Sequence, residues 1–434
     1  MLQRIKEFVQ KEVVLCAAFL LAGISALVVR PDSAYIDYID FRTLGILFCL
    51  MCVMAGLQKI GVFQYVAERL LSFVHGSTQI ILLLVLLCFF FSMLITNDVA
   101  LITFVPFTFT VGRLLGRERY QTMVLPVVVM QTIAANLGSM LTPVGNPQNL
   151  YLYGLSGMGT GEFLLLMLPY ALFSLLLLIG CCVLFGKYLG RRYPEDSACR
   201  TGETLQSEDS VCRERETLES EDSACRTGET SESEDSVRQG ERLQPQAVTI
   251  SASKYFLIIY LVLFILSLLT VARIVPLLLT LAAVVITVLL MDRQVFLRVD
   301  YCLLLTFVGF FIFIGNMGRL PAFAGLLQGL VEGNEVWVSI LASQCISNVP
   351  AALLLSGFTS NISGLIVGTN LGGLGTLIAS MASLISYKYV AAEVKESGIA
   401  GGKGKYFRYF TMANICFLVL LVILYMCMCV GVYE

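Results

Sequence analysis

The residues with the most chemical capacity stand inside hydrophobic sequence, where a membrane-spanning helix wants only apolar side chains. Between Ser92 and Tyr153 lie two polar islands: Thr96-Asn97-Asp98, and the longer run Asn136-Leu137-Gly138-Ser139-Met140-Leu141-Thr142-Pro143-Val144-Gly145-Asn146-Pro147. Both have echoes further on. Ser347-Asn348-Val349-Pro350-Ala351 matches the pattern of Thr96-Asn97-Asp98-Val99-Ala100, and Thr369-Asn370-Leu371-Gly372-Gly373-Leu374-Gly375-Thr376 matches that of Ala135–Thr142. The same pair occurs once in each half, in the same order. A bilayer core offers no water to polar groups, so a helix broken there must line a cavity or a ligand site. Paired interruptions are the sequence mark of a carrier built from a duplicated unit, with its site between the copies.

At the tip of a helical hairpin the first arm ends in free carbonyls and the second begins with free N–H groups. Carbonyl ends suit a small cation, while helix starts and their positive dipole suit an anion. Two hairpins and two broken helices therefore predict coupled cation and anion binding with few charged side chains. Asp98 is the only acidic residue deep within a predicted span. A carboxylate there is expensive, and its default reading is functional. It could ligate sodium when ionised, or carry a coupling proton if desolvation keeps it neutral; the plainer alternative is a cap for the second hairpin arm. Asn97 and Asn348 have the same structural alternative. Thr142-Pro143 reads as an N-cap followed by proline at the first helical position, which restarts a helix. Gly138 and Gly145 relax the backbone before it. Arg273 falls in a turn between spans and reads as a boundary anchor.

These groups need elements to hold them. The chain is 57% hydrophobic and only 14% charged, against about 25% charged for soluble proteins. Runs such as Val13–Val29, Phe163–Phe185 and Phe256–Val271 approach or reach the length that crosses a ~30 Å hydrocarbon core. An all-α polytopic membrane protein follows. The first run has a basic start (Arg4, Lys6, Lys11) and could be a signal peptide, but the many later spans favour an uncleaved helix. Basic residues then set the orientation. The N-terminus is cytoplasmic and Arg30–Arg42 external. Ile60–Gly76 is a one-sided helix lying in the interface, or else a short span. Ile80–Val111 leaves and regains the cytoplasmic side, marked by Arg113, Arg117 and Arg119. It is therefore a re-entrant hairpin with its tip at Asn97-Asp98, two full spans being the alternative. Met123–Tyr153 crosses outward with a break in the middle, and Glu162–Phe185 returns.

The second half repeats this plan upside down. Tyr255–Val271 exits, Ile274–Met291 returns and Tyr301–Met317 exits again. Arg319–Val331 is the external interfacial counterpart, and Val336–Phe358 forms a hairpin around Ser347–Val349. Ile362–Ser386 crosses inward to a basic loop holding Lys388, Lys395, Lys403, Lys405 and Arg408, and Phe410–Val430 places the C-terminus outside. Two inverted-topology repeats result, residues 1–192 and 251–434, each with a re-entrant hairpin and a broken transmembrane helix.

Residues 193–250 between them differ in kind. The decapeptide Glu195–Thr204 recurs verbatim at Glu221–Thr230, and 15 acidic against 6 basic residues leave almost nothing apolar. Such a segment cannot bury enough surface to fold, so it reads as a disordered acidic cytoplasmic linker, a tolerant loop expanded in tandem or a regulatory one. Several function classes fall away. The fourteen cysteines lie mostly singly in predicted spans, and the sequence has one histidine, His75, so neither a disulfide framework nor a structural metal site is expected. An enzyme would need clustered catalytic groups, a channel a continuous polar stripe, and an ATPase a phosphate-cradling Gly-Lys-Ser/Thr loop, none of which the sequence offers.

The islands resemble those of the ion transporter superfamily: divalent anion/sodium symporters, citrate transporter-like permeases, arsenite permeases and D-type sodium/proton antiporters. Asn136-Leu137-Gly138…Thr142-Pro143-Val144-Gly145-Asn146-Pro147-Gln148-Asn149 is similar to the family's Asn-x-Gly-Gly…Thr-Pro-x-Gly-x-Pro-x-Asn pattern. Thr96-Asn97-Asp98 and Asn348-Val349-Pro350 are more similar to the Asn-Asp and Asn-Leu-Pro tips of arsenite permeases than to the Ser-Asn-Thr tip of dicarboxylate symporters. The second broken helix departs by lacking proline, with Ser380 and Ser383 following it.

The resemblance implies an elevator-like secondary carrier, homodimeric, in the plasma (inner) membrane. It implies ions near each tip, at Thr96, Asn97, Asp98, Gly138, Ser347, Asn348 and Gly372. Substrate would lie between them, at Asn97, Asn136, Thr142, Pro143, Asn146, Asn348, Asn370 and Thr376. The expected partners are a small anionic substrate and the lipid bilayer, without nucleic acid. No cofactor or metal is expected beyond a coupling Na+ or H+.

Overall fold

Apolar runs become helices because only a backbone that satisfies its own hydrogen bonds is stable in hydrocarbon. The computed structural model describes residues 12–74, 76–193, 253–399 and 401–430, and every regular element among them is helical. The acidic linker and His75 lie outside the described residues. Seven of the described helices are long and apolar enough to cross a membrane.

In the first half the chain runs α1 (Val13–Val28), a short α2 (Ala34–Asp37), α3 (Phe41–Lys59), α4 (Val62–Leu71), α5 (Ser77–Ile95), α6 (Asn97–Leu114), α7 (Arg117–Ser139), α8 (Pro147–Ser156) and α9 (Thr160–Arg192). The second half runs α10 (Ser253–Val271), α11 (Leu277–Met291), a 3-10 turn (Arg293–Arg298), α12 (Tyr301–Gly318), α13 (Pro321–Val331), α14 (Glu335–Ile346), α15 (Asn348–Ser356), α16 (Ile362–Gly372), α17 (Met381–Ser397) and α18 (Gly402–Val430).

Packing sorts these helices into two bundles. One holds α5–α9 with α14–α18: α7 packs on α5, α6, α9 and α18, α16 on α14, α15 and α8, and α17 on α6, α7 and α18. The other holds α1, α3, α10, α11 and α12, with α1 against α12 and α3 against α10, α11 and α12. Between the bundles, α8 meets α3 and α15 meets α12, while α4 and α13 bridge them at α5, α6 and α14. As its spacing predicts, α4 is one-sided, with Phe63 and Ala67 buried and Gln64, Tyr65, Glu68, Arg69 and Leu70 exposed.

The second bundle is tied by ion pairs at its rims. Lys59 Nζ lies 2.5 Å from Asp292 Oδ2, and Arg319 Nη1 lies 2.7 Å from Asp32 Oδ2. The hydrogen bond from Arg319 holds the Asp32 carboxyl below its ordinary range.

Three local expectations need correction. The second half of the first broken helix does not restart at Thr142-Pro143. It restarts one turn later, where Asn146 is the N-cap, accepting from Asn149 N at 2.9 Å, and Pro147 takes the first helical position. Gly138 and Gly145 have no left-handed backbone; they are close-approach positions. A Cβ on Gly138 would sit 2.1 Å from Phe89 O, and one on Gly145 would sit 2.0 Å from Ser139 O. Finally, none of Lys388, Lys395, Lys403, Lys405 and Arg408 is in a loop, because α17 continues to Ser397 and α18 begins at Gly402. That extension carries Glu393, a buried carboxylate that the span boundaries at Ser386 left out.

Candidate functional site

Both islands at the tips break the helix in the same way. Thr96 between α5 and α6 has φ 74° and ψ 149°, and Ser347 between α14 and α15 has φ 75° and ψ 154°. Side chains rarely occupy this region, and holding one there costs on the order of 1–3 kcal/mol. In each case a hydrogen bond to the neighbouring break secures the turn. Asn97 N donates to Gly145 O at 3.1 Å, and Asn348 N donates to Ala379 O at 2.9 Å.

The correspondence goes further. Thr142 Oγ1 donates to Met93 O, four residues before Asn97; Thr376 Oγ1 donates to Gln344 O (3.2 Å), four residues before Asn348. Gly138 lets α7 close onto Ser92 and Phe89, and Gly372 lets α16 close onto Ser343 and Ile340.

Across the centre the two halves exchange hydrogen bonds reciprocally. Asn146 Nδ2 donates to Asn370 Oδ1 at 3.1 Å, and Ser380 Oγ donates to Asn136 Oδ1 at 3.0 Å. Asn370 Nδ2 donates to Asn149 Oδ1 at 2.6 Å, and Asn136 Nδ2 donates to Ser383 Oγ at 3.5 Å. Asn136 pairs with Asn370, Asn146 with Ser380 and Asn149 with Ser383 under one constant shift in residue number. Asn97 Nδ2 joins the cluster by donating to Asn136 Oδ1 at 3.2 Å, and Asn136 Nδ2 reaches Gly373 O at 3.4 Å. All of these polar side chains are buried.

Of the expected residues, Thr96, Asn97, Asn136, Asn146, Ser347, Asn348 and Asn370 belong to this cluster or its two tips. Gly138 and Gly372 make the close approaches beneath it, and Pro143 is a buried residue of the first break. The hydroxyls of Thr142 and Thr376 point elsewhere, to the carbonyls that hold each break to its hairpin, and Thr376 is exposed. Some of the free ends at the tips and breaks are occupied: Asp98 N donates to Asn97 Oδ1 at 3.0 Å, and at the second break Gln344 Nε2 donates to both Gly372 O and Leu374 O at 2.9 Å.

Asp98 stands apart. Its Oδ1 is fully enclosed and accepts no hydrogen bond from any described residue. Sequence reasoning did not assign Asn149, Ser380, Ser383 or Gln344 to the site. The constant shift would have found the two serines, whereas Gln344 has apolar Met93 at its counterpart and leaves no such signal.

Chemically, the cluster presents amide and hydroxyl groups with no lysine or arginine among them. Positive potential comes instead from the starts of α6, α8, α15 and α17, which begin at or next to cluster residues. Such a site can recognise an anion by hydrogen bonds and helix starts, with a single carboxylate beside the first tip.

The end of this bundle where α6 meets α7 carries a buried carboxylate, Glu393. Glu393 receives both Arg113 Nη2 contacts (2.8 and 2.7 Å) and hydrogen bonds from Tyr120 and Ser397. It joins α6 and α7 of the first half to α17 of the second.

Comparison with known proteins agrees on the class. The family model described as "Citrate transporter" (CitMHS) matches residues 5–364. The inner membrane protein YbiR of Escherichia coli (strain K12) is 28% identical over 372 residues, 84% of each chain. A protein of Methanocaldococcus jannaschii named as the uncharacterized transporter MJ0456 is 29% identical over 383 residues, 85% of this chain and 86% of its own. The human P protein is 27% identical over 168 residues, 38% of this chain and 19% of its own.

Proposed function

This integral membrane protein belongs to the citrate transporter family, and from that premise we propose that it is a secondary active transporter of a small anion, a di- or tricarboxylate or an inorganic oxyanion, coupled to Na+ or H+. The observation that carries the reading is the reciprocal exchange between the two breaks: Asn146 to Asn370 matched by Ser380 to Asn136, and Asn370 to Asn149 matched by Asn136 to Ser383. Two elements that trade equivalent bonds are what inverted-topology repeats with re-entrant hairpins α5–α6 and α14–α15 would give. The substrate anion takes its place among Asn97, Asn136, Asn146, Asn348 and Asn370, where it competes for the amides that now satisfy one another. The cation sits near the tips, with Asp98 as its charged ligand.

Movement is elevator-like. The bundle that holds both hairpins and both breaks slides as one body against α1, α3, α10, α11 and α12, in a homodimer of the plasma membrane. What supports this is the division of contacts: most hydrogen bonds and ion pairs gather within each bundle, whereas the aromatic pairs Tyr151–Phe307 and Tyr151–Phe311 lie between them. A second reading, an arsenite or antimonite permease or a Na+/H+ antiporter, is favoured by one feature, the carboxylate at the first tip.

Uptake of citrate, succinate, sulfate and arsenite into proteoliposomes, with and without a sodium or proton gradient, tests the proposal. Gradient-driven accumulation of a carboxylate or sulfate supports the first reading. Arsenite movement, or sodium/proton exchange without any anion, selects the second. No solute movement under any gradient removes both.

A further inference from the structure

We propose that Arg273 is a positioning residue that latches the site-bearing bundle to the rest of the protein, and that it must let go in every transport cycle. The inference rests on the two-bundle reading above and adds to it what holds this arrangement in place.

Arg273 lies in the turn between α10 and α11, in the bundle that carries none of the clustered asparagines. Its Nη2 donates to Tyr153 O at 3.3 Å and to Gly154 O at 3.2 Å, and its guanidinium carbon stands 5.5 Å from the centre of the Tyr153 ring. Tyr153 and Gly154 lie in the last turn of α8, where carbonyls have no backbone N–H partner within the helix, and Tyr153 O also accepts from Ser156 Oγ at 3.1 Å. A cation at that end also complements the negative end of the helix dipole. The start of the same helix carries Asn146 and Asn149, the residues that exchange bonds with Asn370. One short helix thus has the candidate site at its first turn and Arg273 at its last.

Two further observations single out this contact. Among the described residues, Arg273 is the one charged side chain that hydrogen-bonds from α1, α3 or α10–α12 and their connections to the site-bearing bundle. Lys59, Asp292, Arg319 and Asp32 pair within one bundle, and Arg113, Glu393 and Glu396 within the other. Aromatic contacts between the bundles, such as Tyr151 with Phe307 and Phe311, can slide without stranding a donor. Arg273 also has φ 63°, a left-handed conformation that favours glycine. The backbone holds the side chain toward α8 at some conformational cost.

The test measures distances between spin labels at Ser33 and Ser360, one exposed position on each bundle, in the full chain reconstituted in lipid. The labels are introduced through a noncanonical amino acid so that the native cysteines stay in place. Arg273→Gly removes the guanidinium and at the same time relaxes the left-handed backbone, so the variant folds. Arg273→Lys keeps the charge but shortens the reach and removes the planar guanidinium that stands near the Tyr153 ring. The wild type is expected to show a major distance and a minor one. Arg273→Gly should raise the ratio of minor to major roughly 3- to 10-fold, the scale of one or two lost hydrogen bonds at an exposed site, with Arg273→Lys in between. Two distances whose ratio neither variant changes would overturn the latch and leave the moving bundle standing. A single distance in all three proteins would overturn both.

Discussion

At the scale of single residues, charge is scarce and its placement is informative. The neutral cluster satisfies itself: each of Asn136, Asn146 and Asn370 both gives and receives a side-chain hydrogen bond. Asp98 Oδ1 does not share in this, being enclosed without a partner. An unpaired carboxylate in such a place is costly unless it takes up a proton or a cation. Under the proposed function either event would make Asp98 the coupling group, and the second tip has Val349 at the equivalent position. Asp98→Asn keeps the size and the hydrogen-bonding edge but abolishes the charge. We expect it to insert and fold normally, to bind the anion, and to lose gradient-driven accumulation by at least an order of magnitude. Accumulation at the wild-type level in reconstituted vesicles would take Asp98 out of the mechanism.

At the scale of elements, the hairpins and breaks depend on helices approaching more closely than a side chain allows. Gly138 sits against Phe89 O and Ser92, and Gly372 against Ser343 and Ile340. Neither contact can give easily, because each includes backbone. Gly138→Ala should destabilise the protein by about 1–3 kcal/mol, as overpacking does. Gly180→Ala on α9, where an added Cβ meets nothing within 4 Å, should be neutral or stabilise by up to about 1 kcal/mol. Thermal unfolding in detergent compares the two, and equal shifts would argue against close approach as the role of Gly138.

Much of this layer was legible because polar islands contrast with apolar surroundings, and both tips and both breaks lie where that contrast placed them. The restart of the first broken helix was not. Thr142-Pro143 and Asn146-Pro147 are both cap-and-proline pairs, and local sequence cannot choose between them. Tertiary structure decides, by drawing the Thr142 hydroxyl to Met93 O and leaving Asn146 to cap. Ser380 and Ser383 were hidden by residue type: serine replaces asparagine, and only the shared register shows the equivalence. The length of α17 was hidden by its lysines, which suggest a loop although a helix leaving the membrane carries them equally well.

At the scale of the whole molecule, the relation between the halves decides the mechanism. Gly116 follows the first hairpin and precedes the first broken helix; Ser360 follows the second hairpin and precedes the second broken helix. They are equivalent points. If the repeats were parallel, both would emerge on one face, and the two sets of helix starts would point the same way. If the repeats are inverted, the points emerge on opposite faces and the helix starts converge from both sides, as an anion held by α6, α8, α15 and α17 requires. Charge distinguishes the cases. Arg113, Arg117 and Arg119 surround Gly116, whereas no lysine or arginine occurs between Arg319 and Lys388, on either side of Ser360. By the positive-inside rule we expect the first point to be cytoplasmic and the second external. A membrane-impermeant maleimide should therefore label a cysteine at position 116 only in inside-out vesicles and one at position 360 only in right-side-out vesicles. Labelling of both from one side would make the repeats parallel, and the shared site would lose the geometry that lets one substrate face each side in turn.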